Sequence, residues 1–125
     1  MPRTDAEDRS HDYVGSSTTT VPVRGEGLYG SSKTAPRHAV QVLAQELADH
    51  GVTVNTIRPT AGAGPGVFTE PVPDHPVRHF VAQPGRIGRR TGNVDDVAGA
   101  VEYLASGLEA WVSGQSLLIS GGALQ

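Results

Sequence analysis

The order of its secondary-structure signals constrains this chain more than any other feature. Residues 28–50 predict a helix, and residues 52–58 (VTVNTIR) are β-branched and alternating, which is typical of a strand. A second helix is predicted over 93–106, and short strands over 116–120 and at the start of 12–23. The order strand, helix, strand, loop, helix, strand predicts an α/β fold with a parallel sheet and right-handed crossovers.

The first predicted helix has an apolar stripe, a stop signal and one discordant residue. Its apolar residues recur at spacings of three and four, at Ala35, Ala39, Val42, Leu43 and Leu47. His50-Gly51 places a glycine where a helix end favours a left-handed residue. Pro36 is discordant, because a proline past the first turn removes a backbone hydrogen bond or bends the helix.

The second predicted helix begins with a good cap. Asn93 is the predicted N-cap, and Asp95 and Asp96 lie in the first turn, where the helix dipole favours acids. Its apolar stripe consists of Val97, Ala98, Val101, Leu104 and Ala105, and Gly107 ends it. Three strands and two helices are few for a parallel sheet, which normally needs both faces covered. The architecture therefore reads as part of a larger fold.

The remaining segments are polar or rich in glycine and proline. Residues 1–12 are charged and read as a disordered or frayed start, and residues 60–93 read as a long loop that a short helix around 75–82 would interrupt. Gly62, Gly64 and Gly66 lack the G-x-G-x-x-G spacing of a phosphate-binding loop. We expect a flexible loop on the substrate side instead.

Composition excludes several classes of function. A chain of 125 residues holds one small domain, and a net charge of −3 without a basic run argues against nucleic-acid binding. There is no cysteine, and the five histidines show no metal-ligand spacing on a regular helix, so we expect no metal site. No apolar run approaches a membrane span, and no signal-peptide core is present, which favours a cytoplasmic location without membrane binding.

Tyr29 and Lys33 are four residues apart at the start of the first helix, which places both side chains on one face. A phenol is a poor base at neutral pH, and a nearby ammonium favours the phenolate. A tyrosine one turn from a lysine is therefore a sensible acid/base device. Taken alone, the pair is more often an ordinary solvated helix face, so its weight depends on context.

That context is a series of ordered motifs. Ser16 lies thirteen residues before Tyr29, within GSSTTT, and GLYGSSKTA contains Tyr29 and Lys33. The next stretches are HAVQVLAQELADHGVTVNTIRP, GRIGRRTGNVDDVAGAVEYLAS and WVSGQSLLISGG. In this order, over roughly residues 13–123, the chain resembles the short-chain dehydrogenase/reductase family. The resemblance implies that residues 13–125 form the C-terminal half of a Rossmann-type, doubly wound domain without its N-terminal dinucleotide-binding strands.

The resemblance also implies a role for each matching residue. Tyr29 would be the general acid/base, Lys33 would favour its phenolate and bind the nicotinamide ribose, and Ser16 would hold the substrate oxygen. Ser17 is the alternative to Ser16 if the loop is one residue longer. The remaining cofactor contacts would come from the segment after the second strand, at Pro59, Thr60 and Thr69.

The chain departs from the family in two places. The family usually has Pro-Gly after the second strand, where this chain has Pro59-Thr60. The glycine-rich pyrophosphate turn and the N-N-A-G segment have no counterpart in the 125 residues.

We expect an NAD- or NADP-dependent oxidoreductase that acts on a small alcohol or carbonyl substrate, from a family whose members are usually homo-oligomers. The alternative is a truncated remnant that binds no cofactor. A hydrolase is disfavoured, because no G-x-S-x-G elbow exists.

Overall fold

A computed structural model describes residues 9–22, 24–60, 62–63, 87–89 and 92–122. Its main sheet has three parallel strands in the order β1-β2-β5, which are Arg9–Val14, Val52–Pro59 and Ser116–Ile119. A separate pair of two-residue parallel strands consists of β3 (Gly62–Ala63) and β4 (Gly92–Asn93). The strands predicted over 52–58 and 116–120 are therefore present, parallel and adjacent, as the α/β prediction of a partial Rossmann-type sheet requires.

Both predicted helices form. The first, α1, spans Gly27–Glu46 and continues through Pro36, although proline offers no N–H to the carbonyl of Ser32. A short 3₁₀ turn follows, and Gly51 ends it at φ 68°, the left-handed conformation that the sequence predicted. The second helix, α2, spans Val94–Ala105.

The cap of α2 confirms the role predicted for Asn93. The Asn93 side chain accepts a hydrogen bond from the Asp96 N–H at 3.1 Å. The Asp96 carboxylate in turn accepts one from the Asn93 N–H at 2.8 Å. This capping box satisfies two helix N–H groups and fixes where α2 begins after β4.

The core lies mainly between α1 and β2. Val40 and Ala44 of α1 pack with Val52 and Val54 of β2, and Tyr13 and Leu47 lie against this cluster. Side chains alternate along a strand, so Ile57 faces the opposite side of the sheet, where Leu104 of α2 is also buried. Within the described residues, each face of the sheet thus has one helix packed against it.

The buried face of α1 is not the one that the sequence predicted. Val40 and Ala44 are its buried residues, with Leu47 partly buried, whereas Ala35, Ala39, Val42 and Leu43 of the predicted stripe are exposed. Residues 40, 44 and 47 also recur at helical spacing, so α1 has two apolar stripes. Periodicity alone does not choose between them, and packing on β2 selects the less conspicuous one.

The N-terminal strand begins earlier than predicted. Residues 9–12 were expected to be disordered, but β1 starts at Arg9 and pairs with β2 from Arg9↔Val52 to Val14↔Ile57. The polar composition of this segment is that of an edge strand, with Arg9, His11 and Val14 exposed. Pairing with the buried β2 supplies the order that its composition does not predict. Residues 1–8 lie outside the described part of the chain.

The segment before β5 is tied to β2 by backbone and side-chain hydrogen bonds. The Ser113 hydroxyl accepts from the Val54 N–H at 3.1 Å, and the Gly114 N–H donates to the Val54 carbonyl at 2.8 Å. The buried Asn55 amide donates to the Val112 carbonyl at 3.0 Å and accepts from the Gln115 N–H at 3.1 Å. These hydrogen bonds hold residues 112–115 beside the central strand.

The long loop after β2 leaves and returns at one edge of the sheet. The Thr60 N–H donates to the Ile119 carbonyl at 3.0 Å, and the Ile87 N–H donates to the Gly121 carbonyl at 3.0 Å. The β3–β4 pair holds further parts of the loop together, which the sequence did not predict. The helix predicted around 75–82 lies outside the described residues. Among the residues that are described, no helix is long and apolar enough to cross a membrane.

Candidate active site

The carboxyl ends of the three main strands meet at one edge of the sheet, because the strands are parallel. The Gly15 N–H donates to the Ile57 carbonyl at 2.7 Å, so the chain stays beside β2 as it leaves β1. A Cβ at Gly15 would lie 3.2 Å from Thr56 Cγ2, a tight contact that a glycine avoids. The residues after β1 are thereby held close to the end of β2, where open α/β sheets bind ligands.

Ser16 is the first residue beyond this close approach. It is buried and caps the 3₁₀ turn Ser17–Thr19. Its Oγ accepts hydrogen bonds from the Thr18 N–H at 3.2 Å and from the Thr18 hydroxyl at 3.0 Å. In these bonds Ser16 Oγ acts only as an acceptor, so its own O–H remains to donate. Ser17, the alternative site residue, lies inside the turn and is partly exposed.

Tyr29 and Lys33 lie in the first turns of α1. The Tyr29 side chain is 47% exposed, so it does not pack into the interior. Lys33 Nζ lies 5.7 Å from the centroid of the Tyr29 ring and 5.5 Å from the centroid of the Tyr13 ring. The structure thus brings the ammonium of Lys33 to Tyr29, as their spacing predicted, and adds a second aromatic neighbour that the sequence did not reveal.

The turn that carries Ser16 lies against the start of α1. A Cβ at Gly30, the residue after Tyr29, would stand 4.0 Å from the Thr18 carbonyl oxygen. Helix and turn are therefore in contact at the edge where the strands end. The turn carries Ser16 and the start of the helix carries Tyr29 and Lys33, so the three residues lie on two elements that are in contact.

Pro59 and Thr60 stand at the same edge. Pro59 is the last residue of β2 and pairs with Ile119, and Thr60 continues the ladder through its backbone bond to β5. Both residues are partly exposed. Their predicted role as cofactor contacts stays a prediction, and Thr69, the third residue predicted for it, lies outside the described residues.

Arg58 is a residue of this edge that sequence reasoning did not single out. It is buried, and its guanidinium donates to the Thr20 hydroxyl in the segment after Ser16. Burial lowers the pKa of Arg58, and the positive charge of Arg37 on α1 lowers it further. The signal available in the sequence was a single charged residue inside an otherwise uncharged strand.

The edge carries side chains whose chemistry suits proton exchange. The half-exposed Tyr29 phenol and the nearby Lys33 ammonium lie beside the turn that holds the buried Ser16 hydroxyl, and Arg58 adds a buried guanidinium near the end of β2. No cluster of three or more histidines and acids that could bind a metal occurs within the described residues. The Lys33 ammonium is a suitable donor to the hydroxyl oxygens of a ribose.

Comparison with known proteins gives a consistent set of relatives. Residues 12–123 match a family model described as enoyl-(acyl carrier protein) reductase. Over 100 residues the chain is 36% identical to 7alpha-hydroxysteroid dehydrogenase of Escherichia coli K12. The alignment covers 78% of this chain and 37% of that relative.

Solved structures agree. A short-chain type dehydrogenase/reductase from Mycobacterium ulcerans aligns with a TM-score of 0.81 and 29% identity, over 91% of this chain and 41% of that one. The angucycline C-6 ketoreductase LanV, solved with bound NADP, aligns with a TM-score of 0.80 and 25% identity, over 92% of this chain and 43% of that one. The chain thus spans about two fifths of the length of the proteins it matches.

Proposed function

Because the chain belongs to the short-chain dehydrogenase/reductase family, we propose that it carries the acid/base side of an NAD(P)-dependent oxidoreductase that interconverts an alcohol and a carbonyl compound. The observation that carries this proposal is the position of Lys33 Nζ, 5.7 Å from the ring of a half-exposed Tyr29, beside the turn that holds Ser16. These three residues are the ones that the resemblance assigns to proton transfer.

In the proposed reaction Tyr29 moves the proton. In the direction of reduction, its hydroxyl donates a proton to the substrate oxygen, and in the direction of oxidation the phenolate takes one from the alcohol. The Lys33 ammonium stabilises the phenolate through its charge. When bound, the nicotinamide nucleotide supplies or accepts the hydride at the substrate carbon.

Ser16 orients the substrate oxygen. Its Oγ accepts two hydrogen bonds from Thr18, which polarise its own O–H and strengthen it as a donor. Because Ser16 is buried at the end of β1, its hydroxyl position is fixed by the turn. A donor held in this way stabilises negative charge on the oxygen as it develops.

The described residues fit only one end of a dinucleotide. Lys33 and the edge at Pro59 and Thr60 suit the ribose and nicotinamide. The pyrophosphate normally rests on backbone N–H groups at a helix N-terminus that follows a glycine-rich turn, and the 125 residues contain no such turn. The alternative function follows from the same fact: a remnant that keeps the acid/base residues and binds no nucleotide by itself.

Hydride transfer with and without a nucleotide-binding segment tests the proposal. We would assay the 125-residue chain, and the same chain preceded by the nucleotide-binding part of the Escherichia coli relative, with NADH or NADPH and a panel of ketones. We expect turnover in the extended form, and a loss of about 10²- to 10⁴-fold in Tyr29→Phe.

Tyr103→Phe is the matched control for that assay. Tyr103 is a helical tyrosine with 46% exposure, nearly the same as Tyr29, but it lies on α2. Its replacement should leave turnover unchanged. Full activity in Tyr29→Phe would refute the acid/base assignment, and a folded extended chain without turnover would support the remnant.

A further inference from the structure

Tyr13 gives the Lys33 ammonium an aromatic neighbour from a different element of the fold. Its ring belongs to β1, is partly buried, and lies against the cluster of Val40, Ala44, Val52 and Val54. Lys33 Nζ is 5.5 Å from the Tyr13 ring centroid and 5.7 Å from the Tyr29 ring centroid. A cation within about 6 Å of a ring centroid is attracted to the face of the ring.

Charge and helix geometry favour this position. Arg37 lies one turn beyond Lys33 on α1, and its positive charge already lowers the pKa of the buried Arg58. Long helical side chains lean toward the helix N-terminus, which directs Lys33 away from Arg37 and toward Tyr29. The Tyr13 ring, which packs against the core cluster, offers the ammonium an attractive surface 5.5 Å away.

We propose that Tyr13 is a positioning residue whose ring face holds the Lys33 ammonium beside Tyr29. Its value for catalysis rests on the proposed function, because Lys33 must stay near Tyr29 only if Tyr29 exchanges a proton. The contact itself does not depend on turnover. Because the face of the aromatic ring attracts the ammonium, a phenylalanine at position 13 should hold Lys33 in the same way, and a leucine should not.

Nuclear magnetic resonance of the isotope-labelled 125-residue chain tests the contact directly. We expect ring-current shifts to move the Lys33 ε-methylene protons upfield, with nuclear Overhauser contacts to the Tyr13 ring. Tyr13→Phe should keep the upfield shift, and Tyr13→Leu should lose the share that Tyr13 contributes while the amide spectrum of α2 stays unchanged. Free-lysine shifts in the unmodified chain, or unchanged shifts in Tyr13→Leu, would overturn the proposal.

The unmodified chain decides the matter if Tyr13→Leu does not fold. The Overhauser contacts between Lys33 and Tyr13 then support the proposal when present, and refute it when absent. Their outcome is separable from that of the proposed function, since a chain without turnover still shows or lacks these contacts.

Kinetics of the extended form distinguish positioning from a purely structural role. Tyr13→Leu should lower kcat about three- to tenfold with little change in substrate KM. In the direction of alcohol oxidation, in which Tyr29 must accept the proton, it should also move the acid limb of the pH–rate profile to higher pH, because the phenolate loses a nearby positive charge. Tyr13→Phe should restore both quantities. A fall in melting temperature with an unshifted pH profile would mean that Tyr13 only packs the core.

Discussion

The two ends of α1 differ in how they are held. At the anchored end, defined here as residues 40–47, residues 52–58 and residues 112–115, Val40 and Ala44 are buried against β2, and hydrogen bonds tie residues 112–115 to β2. At the open end, defined as residues 16–20, Tyr29, Lys33, Pro59 and Thr60, most side chains are polar and, apart from the buried Ser16, all are at least partly exposed. One helix thus joins a fixed scaffold to a reactive edge, and substitutions at its two ends should have separable effects.

Asn55 provides the largest expected effect on stability at the anchored end. It is fully buried, and its amide satisfies the Val112 carbonyl and the Gln115 N–H. Asn55→Ala removes the partner of both backbone groups, at a cost of about 1–3 kcal/mol in the free energy of unfolding. Chemical denaturation measures this loss.

Gln115→Ala is the control for that measurement. The Gln115 side chain is exposed and donates only to the nearby Ser113 carbonyl, so its removal should change stability by less than about 0.5 kcal/mol. Equal losses in the two variants would mean that the amide of Asn55 is not what anchors residues 112–115.

Gly114 should produce an intermediate effect. Its backbone has φ 73°, and an added Cβ would lie 3.4 Å from the Cβ of Ala44. Gly114→Ala should therefore destabilise the chain by about 1–2 kcal/mol through left-handed strain. Gly99 lies within α2, and a Cβ added there would have no neighbour within 4 Å. Gly99→Ala should therefore raise the free energy of unfolding by about 0.5–1 kcal/mol, which thermal denaturation measures. Two changes of the same sign would contradict the assignment of strain to Gly114.

Asp12 should give the smallest effect, and it depends on pH. Burial raises the pKa of this β1 carboxyl, although a hydrogen bond from Ser10 opposes the shift. The folded state therefore binds the proton more tightly than the unfolded state, so the contribution of Asp12 to stability is fully present below its unfolded pKa and is lost as pH rises through the raised pKa.

Asp12→Asn should abolish this slope, so that the variant gains stability relative to the unmodified chain as pH rises. Ser10→Ala should steepen the slope, because it removes the bond that lowers the pKa. Denaturation curves across the acid range measure both. A constant difference between Asp12→Asn and the unmodified chain at all pH values would show that Asp12 titrates alike in both states.

The sequence predicted those parts of the molecule whose signals are local. The cap at Asn93, the left-handed Gly51 and the strand around Val54 depend on residues close in the chain, and all are present. The buried face of α1 was predicted wrongly, because two apolar stripes compete and only contact with β2 decides between them. The start of β1 was missed because its order comes from a distant strand.

The candidate site was predictable to a similar extent. The spacing of Tyr29 and Lys33 predicts their proximity, since one helix carries both. The approach of Tyr13 to Lys33, and of Arg58 to Thr20, joins elements that are distant in sequence, so no local pattern reveals it. These contacts appear only when β1, α1 and β2 are packed together.

The central claim is that the 125-residue chain carries the acid/base residues but no residues that bind the pyrophosphate of the nucleotide. Calorimetric titration of this chain with NADPH and NADH tests that claim most directly. Each missing charge-assisted hydrogen bond costs about 1.5–3 kcal/mol, and losing several weakens binding by orders of magnitude. We therefore predict no detectable binding of either nucleotide at micromolar concentrations. A micromolar dissociation constant for either one would contradict the account, because the chain would then hold a dinucleotide by residues not assigned to that task.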